Sequence, residues 1–363
     1  MSSDIFSNNV SFSSILYPRK PLNLDNENKF IPMLDVGYYG SYKNGNYIAT
    51  YSSRGLTKRA CKVGTDFIAD FPDSIDLKIS NRCSWGCPFC HESSIPSGKI
   101  FDYDRTIQVL DQLPKAPIEI AIGGGNILET PVETQKLIYW LINRGFQTRI
   151  TLNYKDLAGR NITDKEKTLI ESVGGVGVSL PYIPEGVIEL AKNLTIFDYD
   201  SVLRTYLFGD LFSSKSINVN HPVVHIIAGI FPASQLDDLF KYSNIPILIL
   251  GYKQWGRAKN TCLPEGIEEF ERKIKQQIYR MRTEDYDGFY GKKTIGFDNL
   301  ALEQLNLKSA LTDKEWNRFY LGDEGHHSMY VDAVEETFAR TSRSPERASW
   351  NNVGLIEFFK SLR

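Results

Sequence analysis

Ile75-Asp76-Leu77-Lys78-Ile79 reads as a strand, and Cys83-Ser84-Trp85-Gly86-Cys87-Pro88-Phe89-Cys90 follows it at once; the reading of this stretch decides the fold. The chain has five cysteines, and three of them fall within these eight residues at C-x3-C-x2-C spacing. Three thiolates on one loop, with no obvious fourth, leave a bound metal an open position, the feature that separates a reactive site from a closed structural one. Gly86 has no Cβ, so the loop is free to wrap closely round a bound group.

Outward from that loop the chain alternates strands with helices. Helical periodicity runs through Asp104–Leu113, with Ile107, Leu110 and Leu113 on one face. A second strand, Ile118–Ile122, runs into Gly123-Gly124-Gly125-Asn126. Three glycines at a strand end bring backbone groups close to a neighbour, either a ligand or the turn itself. A helix over Glu133–Asn143 opens after Thr130-Pro131 and is closed by Gly145. Further strands are expected at Arg149–Leu152, Val176–Leu180, Val223–Gly229 and Ile245–Leu250. Asn153 and Ser179 end two of them, and Gly251 follows the last. Gly251 with Tyr252, Lys253, Trp255 and Arg257 suits a carboxylate-bearing ligand beside an aromatic ring, or an ordinary charged surface.

Before this series, Asn44-Gly45 between two tyrosine-rich runs predicts an N-terminal hairpin that covers an edge or end of the main sheet. Residues 190–220 break the rhythm, and Val202–Phe208 is expected in an inserted hairpin or irregular arm. After Asn260 come an amphipathic helix over Glu265–Met281, a short strand at Ile295–Asp298, a helix over Leu300–Leu305, a strand at Met329–Val334 and a last helix over Leu355–Leu362. The expected organisation is an N-terminal segment (1–72), a core (73–260) and a C-terminal extension (261–363). Repeated β-then-α units predict an α/β fold with a parallel sheet, and ligands bind at the carboxyl ends of such strands, where the cysteine loop lies.

At 363 residues, 42% hydrophobic and 24% charged, the chain has material for a large core. A formal net charge of −2 argues against bulk nucleic-acid or anionic-membrane binding. No apolar run approaches the length of a membrane span, and the first residues lack a signal-peptide pattern. Clustered rather than spread cysteines do not form a disulfide framework, which fits a reducing cytoplasmic setting.

On spacing alone several chemistries remain open for the loop. Cys87-Pro88-Phe89-Cys90 has the form of a glutaredoxin dithiol. Cys87 to His91 is C-x-x-C-H, the c-type haem attachment pattern. Cys83, Cys87, Cys90 and His91 would suit zinc, and the cysteines could be buried small hydrophobes. A [4Fe-4S] cluster wants four ligands, so three thiolates would leave one iron open.

The loop resembles that of the radical S-adenosylmethionine (radical SAM) superfamily, C-x3-C-x-aromatic-C, with Phe89 as the aromatic. With the β/α series the resemblance covers roughly residues 73–255. It implies a partial (β/α)6 TIM-like barrel, with the N-terminal hairpin and a C-terminal α+β extension added. It implies that Cys83, Cys87 and Cys90 ligate three irons of a [4Fe-4S] cluster and that S-adenosyl-L-methionine chelates the fourth. Reduction by an external flavodoxin- or ferredoxin-like donor would cleave the cofactor to methionine and a 5′-deoxyadenosyl radical, which abstracts substrate hydrogen. Gly123, Gly124, Gly125 and Asn126 resemble the family's cofactor-contacting GGE motif, with Asn126 in place of the acid. Asn153 and Ser179 match positions where polar residues touch the cofactor, Ile227 an apolar contact to adenine, and Phe89 packs on the adenine side. His225 and Pro232 replace a glycine and an acid of the family's G-x-I-x-G-x-x-E stretch. No further cysteine cluster follows, since Cys262 stands alone. Cys90-His91-Glu92 leaves two substrate classes, a peptide or protein backbone and a nucleoside-like small molecule. The alternative is a non-catalytic zinc or iron–sulfur binding module with His91 as fourth ligand.

Overall fold

The computed structural model describes residues 38–52, 58–62, 65–158, 161–193, 202–209, 216–243, 245–260, 264–283, 294–320 and 322–363. The expected N-terminal hairpin forms. Strands β1 (Tyr38–Asn44) and β2 (Tyr47–Ser52) pair antiparallel, Asn44 opposite Tyr47, with Gly45 at φ 57° in the turn; β3 (Lys58–Ala60) completes a three-stranded sheet.

The main body follows as β4 (Ser74–Ser80), α1 (Tyr103–Leu110), β5 (Glu119–Gly124), α2 (Pro131–Asn143), β6 (Gln147–Asn153), α3 (Asp164–Ser172), β7 (Gly175–Ser179), α4 (Glu185–Asn193) and α5 (Val202–Phe208). It continues as β8 (Pro222–Ile227), α6 (Leu236–Tyr242), β9 (Ile247–Leu250), α7 (Pro264–Thr283), β10 (Ile295–Phe297), α8 (Asn299–Gln304) and α9 (Asp313–Phe319). Strands β11 (Ser328–Asp332), β12 (Thr337–Ala339) and β13 (Ala348–Ser349) and helix α10 (Leu355–Ser361) end it.

The six strands expected from the sequence are β4 to β9, and they lie side by side in chain order. The sheet is wider than that expectation. Its order is β10-β9-β8-β7-β6-β5-β4-β11-β12-β13, with eight parallel strands from β10 to β11 and β12 and β13 added antiparallel. Its end strands are not paired with each other, so no barrel is closed. Val202–Phe208, expected in a hairpin or arm, is instead helix α5, which buries Val202, Leu203, Leu207 and Phe208 and packs against α4. Residues 194–201, 210–215 and Cys262 lie outside the described residues.

Strand alternation gives the sheet two unlike faces. Ile75, Leu77, Ile79, Ile120, Ile122, Ile150, Leu152, Val176, Val178, Val224, Ile226, Ile247 and Ile249 are each at most 2% exposed. They meet Val109 and Leu110 of α1, Leu137 and Leu141 of α2, Leu169 and Ile170 of α3 and Leu239 and Phe240 of α6 in one core. The intervening residues, among them Asp76, Lys78, Arg149, Thr151 and His225, turn the other way.

That second face is concave. Laid flat, β9 and β12 would stand seven strand spacings apart, about 34 Å at ~4.8 Å each. Yet Lys253, just past β9, donates from Nζ to Ser342 Oγ past β12 at 2.8 Å. Asn299 Nδ2, at the start of α8, donates to the Gly322 carbonyl at 3.2 Å. The sheet therefore curls until its two sides face each other across an interior lined by both polar and apolar side chains.

The hairpin closes the amino-terminal side of this body. Asp73, the residue before β4, accepts from Tyr42, Asn44 and Tyr47 and pairs with Arg59 at 2.5 Å. Its N–H donates to the carbonyl of His327, just before β11, at 2.8 Å. The opposite, carboxyl-terminal side carries the cysteine loop.

Candidate metal and cofactor site

The cysteine loop is an excursion pinned at its base. Cys83 N–H donates to the Ile95 carbonyl at 2.9 Å, and Ile95 N–H returns to the Asn81 carbonyl at 3.0 Å. Gly86 sits at φ 60°, a left-handed conformation that suits glycine, and Cys90 N–H closes a turn on the Cys87 carbonyl at 3.2 Å. Two further attachments hold the loop from opposite sides.

On the β6 side the anchor is Asp156, 2% exposed. Its Oδ1 accepts from Trp85 Nε1 at 3.0 Å and from Asn126 Nδ2 at 2.9 Å, and its Oδ2 accepts from Asn153 N–H at 3.2 Å. One carboxylate thus ties together the cysteine loop, the glycine turn and the end of β6. Glu129 adds an acceptor for Ser84 N–H at 2.8 Å. On the β9 side the anchor is Arg257. Its Nε donates to the Cys87 carbonyl at 3.0 Å, its Nη1 to the Ser94 carbonyl at 2.8 Å, and its N–H to the Cys90 carbonyl at 3.1 Å. Arg257 therefore positions the loop, where the sequence left open a contact to a ligand carboxylate or an ordinary surface charge.

Beneath the loop lies a buried charge network. Lys78 Nζ meets Glu92 at 2.8 Å and Asp332 at 3.1 Å, His91 Nε2 lies 3.2 Å from Glu92, and Tyr330 donates to Glu92 at 3.3 Å. Burial works against both charges, yet His91 and Lys78 hold the Glu92 carboxyl well below the usual carboxylate range, and Glu92 with Asp332 holds Lys78 protonated. Burial, then the charge of Lys253, pushes His91 down.

Burial raises the Cys83 and Cys87 thiols, and the remaining cysteines add to it: Cys90 acts on Cys83, and both Cys83 and Cys90 act on Cys87. Among the described residues no three His, Cys, Asp or Glu side chains converge as ligands of one metal ion. Three thiols on one loop are a donor set that three irons of a cluster would take, and the Asn153 amide lies 3.9 Å from Cys87 Sγ.

The other expected site residues divide into two groups. Gly123 lies on the concave face with nothing within 4 Å of where a Cβ would stand. Ser179 aligns with Asn153 and His225 across neighbouring strands, and Ile227 ends β8; both are partly exposed on the same face, and Phe89 is partly buried on the loop. Gly124, Gly125, Asn126 and Gly251 shape the backbone. Gly124 sits at φ 116°, and a Cβ there would stand 2.4 Å from the Ser80 carbonyl oxygen; at Gly125 it would stand 2.1 Å from that of Arg82. Those glycines let the turn dock on the stem of the cysteine loop through Gly125 N–H to Ser80 at 2.6 Å and Asn126 N–H to Arg82 at 2.7 Å. Asn126 spends its side chain on Asp156 and on Leu128 N–H. A Cβ on Gly251 would meet Leu300 at 2.3 Å.

Sequence reasoning missed Asp156, Lys78, Glu92, Tyr330, Asp332 and Asp76. A signal existed for two of them: charges at alternate positions of Ile75-Asp76-Leu77-Lys78-Ile79 are foreign to a parallel strand covered on both faces. They mark a strand with one face on an open interior.

No family model and no curated protein matches the chain. Among solved structures, Streptococcus suis SuiB bound to S-adenosylmethionine aligns at TM-score 0.49 and 11% identity, over 81% of this chain and 66% of that one. SuiB bound to precursor peptide SuiA aligns at 0.49 and 11%, over 81% and 65%. The chain thus spans just under two thirds of the length of SuiB. The assignment of function rests on this chain's own residues.

Proposed function

We propose that the protein is a radical SAM enzyme built on a partial barrel. Cys83, Cys87 and Cys90 would hold three irons of a [4Fe-4S] cluster and S-adenosyl-L-methionine the fourth. The observation that carries this reading is the set of three cysteines on one doubly anchored loop, at the carboxyl edge of a curled parallel sheet. When bound, the cluster and cofactor would supply reductive cleavage of the sulfonium to a 5′-deoxyadenosyl radical.

The chain's own work is positional. Asp156 and Arg257 fix the thiol-bearing loop from two sides. Gly123 leaves its side of the concave face free for a cofactor to approach, with Asn153, Ser179, Phe89 and Ile227 as the polar and apolar contacts. The Lys78–Glu92–Asp332 network holds the floor below the loop rigid. The curled sheet shields a reactive intermediate from water. An external flavodoxin- or ferredoxin-like donor and either a peptidic or a nucleoside-like substrate complete the scheme.

His91, whose Nε2 lies 3.2 Å from Glu92, is the residue on which this reading and a zinc module differ. After anaerobic reconstitution, His91→Ala is expected to retain about four irons per chain and Cys83→Ala to lose most of them. Metal lost from His91→Ala with the fold intact would favour the binding module.

A further inference from the structure

Asp76 is out of keeping with its surroundings. Aspartate is disfavoured in strands, and its neighbours Ile75 and Leu77 are 0% and 1% exposed against the helices. Asp76 turns to the concave face, where the charges of Lys253, Glu119 and Asp298 converge on it from three other parts of the sheet. Every other carboxylate around it is engaged. Glu92 and Asp332 share Lys78, Glu119 pairs with Arg149 at 3.1 Å, and Asp298 accepts from Gly251 and Ala301 N–H at 2.9 and 2.7 Å. Asp76 has no hydrogen-bond or ion-pair partner among the described residues, yet it is exposed to solvent. A carboxylate crowded by protein and by further carboxyls holds its charge less readily than one in open water, and Asp76 makes no contact on which the fold depends.

The charges also say what is missing. With Lys78 shared by two carboxylates and Arg149 matched by Glu119, Lys253 is left facing both Asp76 and Asp298. Among these groups five carboxylates stand against three cations, and Arg347 lies over the Tyr330 ring at 4.8 Å, not against a carboxylate of this set. Its far wall, on β8 and β9, presents Val223, Ile227, Leu248 and Leu250, all partly exposed and apolar. Beside Asp76 in register stand small Ala121 on β5 and Tyr330 on β11.

We infer that Asp76 is a substrate-recognition residue that receives a protonated amine carried on an alkyl stem, the stem lying along the wall of Val223, Leu248 and Leu250. The inference deepens the reading of the concave face as a substrate chamber and rests on it. Although its side chain reaches solvent, the protein crowded around Asp76 and the two neighbouring carboxyls push its carboxyl upward, and a bound cation would reverse that.

The test needs no cluster and no substrate, so its failure is distinct from a failure of the radical chemistry. On the full-length, anaerobically purified chain, binding of n-butylammonium is followed by ligand-observed NMR, with n-butanol as the neutral control, alongside the melting temperature. Asp76→Asn is expected to weaken n-butylammonium by roughly tenfold or more, to leave n-butanol unaffected, and to melt at the same or a higher temperature. Asp76→Ser is expected to behave alike. Unchanged n-butylammonium binding in Asp76→Asn would overturn the inference. So would a melting temperature lowered by several degrees in both variants, or failure of both to fold, since either would make Asp76 a structural residue.

Discussion

At the scale of single residues, the three consecutive glycines do unlike work. Gly124 and Gly125 have carbonyl oxygens where a methyl group would go, whereas Gly123 faces open space. Gly125→Ala must push the glycine turn off the stem of the cysteine loop, a cost of about 1–3 kcal/mol. Gly123→Ala is expected to leave stability within about 0.5 kcal/mol while weakening S-adenosylmethionine binding. Urea denaturation of both variants checks the first pair of outcomes; equal destabilisation would contradict the division. The glycine run itself was legible in the sequence, but the division was not. It depends on what Ser80 and Arg82 place opposite each glycine, and that is a tertiary fact.

Arg257 shows how an element acts through one side chain. The segment after β9 reaches across the curled sheet and binds the cysteine loop through two guanidinium donors and a backbone N–H. Arg257→Ala removes two charge-assisted hydrogen bonds, each of which contributes about 1.5–3 kcal/mol. The expected result is a loop that exchanges amide hydrogens faster over residues 87–94 and loses reconstituted iron, with the core strands unchanged. Arg257→Lys is expected to rescue little, because an ammonium cannot span both carbonyls as a planar guanidinium does. Exchange rates over 87–94 unaltered in Arg257→Ala would contradict the anchoring role.

Elements were largely readable from the chain: the hairpin at Asn44-Gly45, the six strands β4 to β9, the loop between β4 and α1, and helices α1, α2 and α7 follow the periodicity and punctuation of the sequence. Two things were not. Val202–Phe208 is rich in β-branched and aromatic residues and reads as extended; packing on α4 overrides that propensity. The strand Ser328–Asp332 was visible as a strand, but its place beside β4 was not. A parallel neighbour some 250 residues distant leaves no local mark on either partner. That placement supplies Asp332 to Lys78 and Tyr330 to Glu92, so the buried network under the loop was hidden with it.

Across the whole molecule, two histidines tie folding to pH. His327 packs edge-on against Tyr47 and Phe67 where the hairpin meets β4 and β11, and burial, then the charge of Arg59, lowers it to about 3. Burial, then the charge of Arg149, lowers His225 to about 4. Both stay neutral in the fold, while an unfolded histidine takes up a proton below about 6.5. The unfolded state therefore binds more protons on acidification. The stability each group contributes is complete above pH ~6.5 and falls away as pH drops toward the folded value, by roughly 2 kcal/mol per histidine between pH 6.5 and 5. Urea titrations at pH 7.5, 6 and 5 are expected to show this loss, and His327→Phe, which keeps a ring between Tyr47 and Phe67, is expected to halve it. A slope unchanged in that variant would place the acid sensitivity elsewhere.

The central claim is that the three thiols of the loop serve a cofactor-cleaving cluster. The direct measurement is 5′-deoxyadenosine released when the chain, reconstituted anaerobically with iron and sulfide, is given dithionite and S-adenosylmethionine. The account predicts that the native chain forms 5′-deoxyadenosine and that Cys87→Ala does not. A chain that takes up zinc instead, or that holds a cluster yet never cleaves S-adenosylmethionine, would contradict it.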